Sequence, residues 1–282
     1  MTTIPKLIFI VPYRDRLPQK QHFSIYMKYI MEDYNKDDYE IYYSHQTDSR
    51  MFNRGATKNI GFLAIKEKYP NDYKNITIVF NDVDTLPSIK NMFDYITHTG
   101  IVKHFYGFTF ALGGIVSITG EDFEKCNGFP NNWGWGLEDN ALNNRVLERS
   151  IIINRDQFIP INNPRVIHLF DNPNRIINVR EPALYINNEL RDNLDSIYGL
   201  AYTIVDSQAS NLMTNENSNK LTEIKQNEYI INIHQFLTLI KENNNTFYSQ
   251  NLIHEPTLAV NKTVSVKKRY VKPRWLLNNN YM

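Results

Sequence analysis

Lys6-Leu7-Ile8-Phe9-Ile10-Val11, a continuous apolar run closed by Pro12, is the stretch on which the fold turns. A run without polar alternation suits a strand buried on both faces, as inside a sheet covered by helices. Downstream, Leu17 to Met31 spaces Phe23, Tyr26, Met27 and Ile30 at helical intervals. Tyr39-Glu40-Ile41-Tyr42-Tyr43 predicts a second strand and Thr57 to Tyr69 the next helix. Ile76-Thr77-Ile78-Val79-Phe80 predicts a third strand, ending at Asn81-Asp82-Val83-Asp84. Strands separated by helices argue for βαβ units, an α/β class and a mainly parallel, Rossmann-like sheet flanked by helices. Ligands bind such sheets beyond the carboxyl ends of the strands, so the residues just after Val11 and Phe80 come first as candidates.

The remaining chain is less regular. Phe105 to Pro130 is rich in glycine and aromatics, with Gly113-Gly114 leading into Ile115-Val116-Ser117-Ile118. Leu137 to Arg149 predicts a helix with acids in its first turn, and Val166 to Phe170 a short strand. Beyond about Asn187 the pattern weakens: Ser207 to Asn219 is polar and loop-like, and Tyr229 to Ile240 fits a strand or a short helix. The expected division is a catalytic domain over residues 1–235 and an extension with some β structure over 236–282. That extension carries Lys267, Lys268, Arg269, Lys272 and Arg274 around Tyr270 and Trp275, read as a solvated basic tail or else a contact for an anionic membrane surface or polyanionic acceptor.

Composition narrows the function classes. Thirty-one basic against 30 acidic residues give a net charge of +1, which supports no global field for nucleic acid or a membrane surface. The single cysteine, Cys126, rules out an internal disulfide framework and a cysteine-rich zinc site, and reads as a small buried residue. No stretch approaches the ~18 uncharged residues of a membrane span, and Leu7 to Val11 is too short for a signal sequence. The expectation is a chain kept in a reducing cytoplasm. Asn, Ile, Lys, Tyr and Phe are abundant while Gly and Ala are scarce, a bias that A/T-rich codons produce. A low-GC microbe or a large DNA virus would fit it, with the host cytoplasm as the setting if viral.

Four constellations carry chemistry. In Asp82-Val83-Asp84 the strand period lets both carboxylates lie on one side while Val83 points into the core. Such a pair suits Mg²⁺ or Mn²⁺ bridging a diphosphate, or else is a solvated turn. Arg14 and Arg16 follow the first strand, and Arg54 and Lys58 open the helix after the second. They read as a phosphate clamp, or as surface ion pairs with Asp15 or Asp48. Asn131-Asn132-Trp133-Gly134-Trp135-Gly136-Leu137-Glu138-Asp139-Asn140 places two tryptophans between glycines, a pattern suited to stacking on a sugar ring. Glu138 and Asp139 are either dipole-favouring acids of a first turn or a general base for a hydroxyl nucleophile. His168, in Val166-Ile167-His168-Leu169-Phe170-Asp171, is a satisfied core histidine unless Asp84 lies nearby.

Together these blocks resemble the β-1,4-galactosyltransferase family, inverting enzymes of the GT-A fold. The match runs, in the family's order, through Val11 to Arg16, Phe52-Asn53-Arg54-Gly55 with Asn59 to Phe62, and Asp82-Val83-Asp84. Its longest block is Gly113-Gly114 with Asn127 to Asp139, and Tyr198 to Val205 is a weaker echo. The resemblance implies that Arg14, Arg16, Phe52 and Arg54 hold a nucleotide diphosphate, with Asp82 and Val83 against the nucleoside. Pro12 and Gly114 join the donor site, and Trp135 closes over the donor. Asp84 and His168 would ligate Mn²⁺, Glu138 would contact sugar hydroxyls, and Asp139 would be the base. Trp133 and Asn140 fall to the acceptor side. The implied activity moves galactose or N-acetylgalactosamine from a UDP-sugar to a hydroxyl of a glycan or glycoconjugate, forming a β-1,4 linkage.

Three departures from the family pattern stand out. A further metal ligand near the histidine is missing, since Arg165 or Val166 and Phe170 occupy its places, unless Asp171 compensates. Ala111 stands where an aromatic limits donor size, and Asn140 replaces an acid that helps bind acceptor. Animal relatives are typically Golgi proteins with an N-terminal anchor and disulfides; the single cysteine and the lack of a membrane-length apolar stretch lead to the expectation of a cytoplasmic version of the family. The thin ligand set also leaves room for a non-catalytic sugar-binding protein on the same fold. Metal-dependent phosphodiester hydrolysis would explain the acids but not the Trp-Gly loop.

Overall fold

The computed structural model describes residues 3–134, 136–169, 174–178, 192–207, 227–239 and 247–251. In chain order the strands and helices begin with β1 (Leu7–Tyr13), α1 (Leu17–Ile30), β2 (Tyr39–Gln46), α2 (Arg54–Lys68), β3 (Thr77–Asn81) and β4 (Thr85–Pro87). There follow β5 (Ile101–Gly107), β6 (Ile115–Thr119), α3 (Gly120–Lys125), α4 (Glu138–Glu148), β7 (Ile152–Asn154), β8 (Ile159–Pro160) and β9 (Val166–His168). The chain closes with β10 (Asn174–Asn178), β11 (Tyr198–Asp206), β12 (Glu228–Leu237) and β13 (Phe247–Asn251).

β1 is the sheet's central strand, and all seven of its residues are buried. Its side chains alternate between two cores, as a strand's period of two requires. Ile8 and Ile10 pack with Phe62 of α2, Phe123 of α3 and Leu142 of α4. Leu7, Phe9 and Val11 pack on the other face with Phe23, Met27 and Ile30 of α1. Helices therefore cover both faces, which explains why the run Leu7 to Val11 carries no polar residue.

The main sheet has the order β11-β12-β2-β1-β3-β6-β5-β7, with β8 beside β5. β12, β2, β1 and β3 are parallel, in line with the βαβ reading. β6 then runs antiparallel to both β3 and β5, and β11 antiparallel to β12, while β7 and β8 run parallel to β5, so the sheet is mixed with parallel pairings in the majority. The ambiguous Tyr229 to Ile240 segment resolves as β12, a strand whose Ile231, Ile233 and Phe236 join the α2-side core. Phe170, the last residue of the strand predicted from Val166, lies outside the described residues, as do Asp171 and the basic tail. Cys126 is fully buried, and desolvation pushes its thiol up to about 11. No helix among the described residues is long and apolar enough to cross a membrane.

Candidate active site

The parallel strands deliver their following residues to one edge of the sheet. Arg14 comes just after β1, Arg54 opens α2 beyond β2, and Asp82 follows β3. Arg54 is held there by its neighbour, because the Asn53 side chain caps α2 by accepting from Ala56 N at 2.9 Å. The same Asn53 amide donates to Asn131 O at 3.0 Å, tying the helix start to the segment before α4.

Arg54 is the hub of the cluster. Its Nη1 donates to Glu138 Oε1 at 2.7 Å and to both carboxylate oxygens of Asp139 at 2.9 Å. Its Nη2 donates to Asp82 Oδ1. Lys58, one turn further along α2 and so on the same helix face, donates to Asp139 Oδ1 at 2.9 Å. Burial alone would raise the Asp139 pKa, but Arg54 and Lys58 hold it below the usual carboxylate range. Burial likewise opposes the Arg54 charge, and Asp139, Asp82 and Glu138 outweigh it. For Lys58, burial and the nearby guanidinium push the pKa down.

The Gly-Gly pair is explained by this carboxylate. A Cβ on Gly113 would sit 2.5 Å from Asp139 Oδ2, so any larger residue displaces the acid. Gly114 adopts φ +70°, and a Cβ there would meet Tyr106 O at 2.4 Å. Leu112 N donates to Asp139 O at 2.9 Å, fastening the loop to the first turn of α4. The Asp139 side chain keeps 21% exposure, an opening through which a hydroxyl could reach it.

Asp84 and His168 meet across the small antiparallel pair of β4 and β9, whose register sets Thr85 opposite His168. Leu169 N donates to Asp84 O at 2.8 Å, and His168 Nε2 stands 3.7 Å from Asp84 Oδ1. The other ring nitrogen, Nδ1, is 3.3 Å from the Tyr106 hydroxyl, which in turn accepts from Asn162 N at 3.2 Å. With Nδ1–H donating to that hydroxyl oxygen, the Nε2 lone pair faces the carboxylate, the orientation a metal-ligating imidazole needs. An oxygen and a nitrogen donor, so oriented, fit Mn²⁺ as a partial ligand set. No group of three or more His, Cys, Asp and Glu side chains converges among the described residues, so further ligands must come from elsewhere.

The charges of Asp82 and Asp84 both act on the Tyr106 hydroxyl, while Val83, between them in sequence, is buried. Their partners differ: Arg54 for Asp82 and His168 for Asp84. Two expectations need correction. Lys58 is 1% exposed and bonded to Asp139, so it is no open phosphate clamp. Trp133 is core rather than acceptor surface, at 1% exposure. It stacks on Phe236 at 5.6 Å and 8°, and its indole N–H donates to Thr238 Oγ1 at 3.1 Å. Aromatic contacts contributed by a strand distant in sequence overrode the glycine-flanked loop pattern.

The other candidates are placed as follows. Trp135 lies outside the described residues. Pro12 is buried within β1, opposite Ser44, and Val83 is buried in the α1-side core. Arg14 donates to Arg50 O and, from Nε, to Asp15 Oδ2 at 3.3 Å, the latter being the ion pair weighed for it. Arg16 and Phe52 are half-buried. Glu138 is 3% exposed, and its second oxygen accepts from Gly136 N at 3.1 Å. Asn140 donates to Phe110 O at 3.2 Å, and Ala111 is buried in the loop before the Gly-Gly pair.

Two family models match the chain: the N-terminal region of glycosyl transferase group 7 over residues 2–95, and the N-terminal domain of galactosyltransferase over residues 100–170. Mouse β-1,4-galactosyltransferase 1 is 29% identical over 218 residues, covering 74% of this chain and 53% of the relative. A xylosylprotein 4-β-galactosyltransferase of Caenorhabditis elegans is 33% identical over 163 residues, covering 55% and 54%. The chain belongs to the β-1,4-galactosyltransferase family. It spans about half the length of the curated relatives it matches. A mutant Drosophila β-1,4-galactosyltransferase 7, solved with manganese, UDP-Gal and xylobiose, superposes with a TM-score of 0.58 at 21% identity. That match covers 86% of this chain and 98% of the other, and it shows the GT-A fold.

The two matched spans of this galactosyltransferase-family chain contain the whole cluster, from Arg54, Asp82 and Asp84 to Gly113, Glu138, Asp139 and His168. Two contributors were not anticipated from sequence. Tyr106 steadies His168, as above. His104 is 1% exposed and ties the loop down, its Nε2 lying 3.0 Å from Tyr106 O and 3.1 Å from Gly113 O. Arg155 Nε donates to its Nδ1 at 3.2 Å, and burial, helped by that guanidinium, lowers the ring pKa to about 4. A lone histidine in a strand gives no sequence signal of such a role.

Proposed function

We propose that this chain is a metal-dependent, inverting glycosyltransferase that moves galactose or N-acetylgalactosamine from a UDP-sugar to a glycan or glycoconjugate hydroxyl, in a β-1,4 linkage. The observation that carries the reading is Asp139, a partly exposed carboxylate held ionised between Gly113, Arg54 and Lys58. Asp139 takes the proton of the acceptor hydroxyl as its oxygen attacks the anomeric carbon. The bond from that carbon to the diphosphate breaks on the opposite face, and UDP leaves with the bonding pair. Arg54, with Arg14 and Arg16, receives the diphosphate charge. Glu138 anchors Arg54 and meets the sugar's hydroxyls. Asp84 and His168 would hold Mn²⁺, which when bound neutralises charge on the leaving diphosphate.

The test is UDP release from a panel of UDP-sugars with and without Mn²⁺, with Asp139→Asn as control. The small ligand set among the described residues favours one rival, a sugar-binding protein without turnover. Saturable sugar binding with no UDP release from any donor would establish that rival. The donor proposal rests on Ala111, whose small side chain leaves room for an N-acetyl group; a strong preference for UDP-Gal over UDP-GalNAc would contradict it. The catalytic unit expected over residues 1–235 is proposed to run on through Thr238, since Phe236 and Thr238 hold Trp133, and removal of residues 262–282 should leave UDP release unchanged. A cytoplasmic setting is part of the proposal, since buried Cys126 requires no oxidising compartment. Recovery of the full chain in a secretory fraction would contradict that setting.

A further inference from the structure

We propose that Lys58 is a positioning residue for Asp139, the fixed counter-ion that keeps this carboxylate oriented and ionised once Arg54 turns to the donor diphosphate. The inference rests on the reading of Asp139 as the base. The two cations that meet Asp139 differ in freedom. Arg54 bonds three carboxylates and keeps 13% side-chain exposure, so it can exchange partners with an incoming anion. A diphosphate competes well for it, since the planar guanidinium bonds two phosphate oxygens at once. Lys58 has 2% side-chain exposure, and its ammonium lies between Asp139 Oδ1, at 2.9 Å, and the Phe129 ring, 4.3 Å from the centroid. That ammonium stays with the acid whether or not the donor is bound.

The charge balance gives this a chemical purpose. With both cations in place Asp139 is a weak base, because each stabilises the ionised form. Loss of Arg54 to the donor raises its basicity as the reaction requires, and Lys58 then prevents the buried acid from taking up a proton prematurely. The other groups facing Asp139 do not replace Lys58. Glu138 on the same helix and Asp82 after β3 are carboxylates, which favour protonation. His104 of β5, beyond Gly113, is held neutral by burial and by Arg155.

The experiment measures UDP release by the full chain across pH for wild type, Lys58→Met, Lys58→Arg and Asp139→Asn, with donor KM and a thermal melt for each. Lys58→Met should move the acid limb of kcat, which reports the donor-bound enzyme, upward by about one pH unit or more. It should lower kcat about tenfold and leave donor KM nearly unchanged. Lys58→Arg should restore the limb. If Lys58→Met does not melt cooperatively, Lys58→Gln, which keeps a donor but no charge, takes its place in the comparison. A folded neutral variant with an unmoved acid limb overturns the proposal, as does a loss that appears only in donor KM. Full activity in Asp139→Asn would instead overturn the reading of the base, which separates the two failures.

Discussion

At the scale of single residues, three of the four acids, Asp82, Glu138 and Asp139, share Arg54, while Asp84 meets His168. Of the three, Asp139 also bonds Lys58 and keeps partial exposure. Replacing Asp139 by Asn keeps the shape and removes the proposed proton acceptor, so UDP release should fall by roughly 10²–10⁴-fold with little change in donor KM. Tyr106→Phe removes the hydroxyl beside His168 Nδ1, and the Mn²⁺ concentration for half-maximal rate should rise about tenfold. A metal titration superimposable on wild type would contradict that role. Asp139 and Asp84 were legible in short motifs at helix and strand ends, whereas the lone His168 took its metal-ligand reading only from the family resemblance. The partnership of Lys58 was not legible: its i, i+4 spacing from Arg54 gave the shared face, but the acid it meets lies 81 residues away.

At the scale of elements, the decisive feature is the entry into α4. Leu137 precedes that helix with φ +68°, in a left-handed conformation costly for a side chain with a Cβ. Leu137→Gly should relieve about 1–2 kcal/mol of strain against a flexibility cost of about 0.5–1 kcal/mol. The net expectation is a small rise in Tm. Leu137→Val, β-branched at the same φ, should lower it; equal melting of the two variants would contradict the strain argument. Strand legibility followed burial. β1, β2 and β3 are buried almost throughout and read directly from sequence. β11 is largely exposed although Leu200, Tyr202 and Ile204 alternate along it, so its apolar pattern does not translate into burial. In β5, buried His104 and half-buried Lys103 interrupt the apolar run.

At the scale of the molecule, β12 extends the parallel half of the sheet and helps to support the site. Phe236 of β12 stacks on Trp133, and the Arg50 guanidinium lies 4.8 Å and 4.4 Å from the two ring centres. Trp133→Ala should therefore cost about 3–5 kcal/mol, seen in a denaturant melt, because a large buried aromatic is lost. A cost within about 0.5 kcal/mol would return Trp133 to the surface role its motif suggested. Sequence placed both ends of this contact in the fold but could not join them across so long a separation.

The claim on which the rest depends is that this cluster transfers a sugar. UDP release from UDP-Gal and UDP-GalNAc, with a panel of glycan acceptors, measures it directly in the presence of Mn²⁺, after chelation, and in Asp139→Asn. The expected result is acceptor-dependent release that disappears on chelation and falls to background in the variant. Release from no donor, or release indifferent to both Mn²⁺ and Asp139, would contradict it.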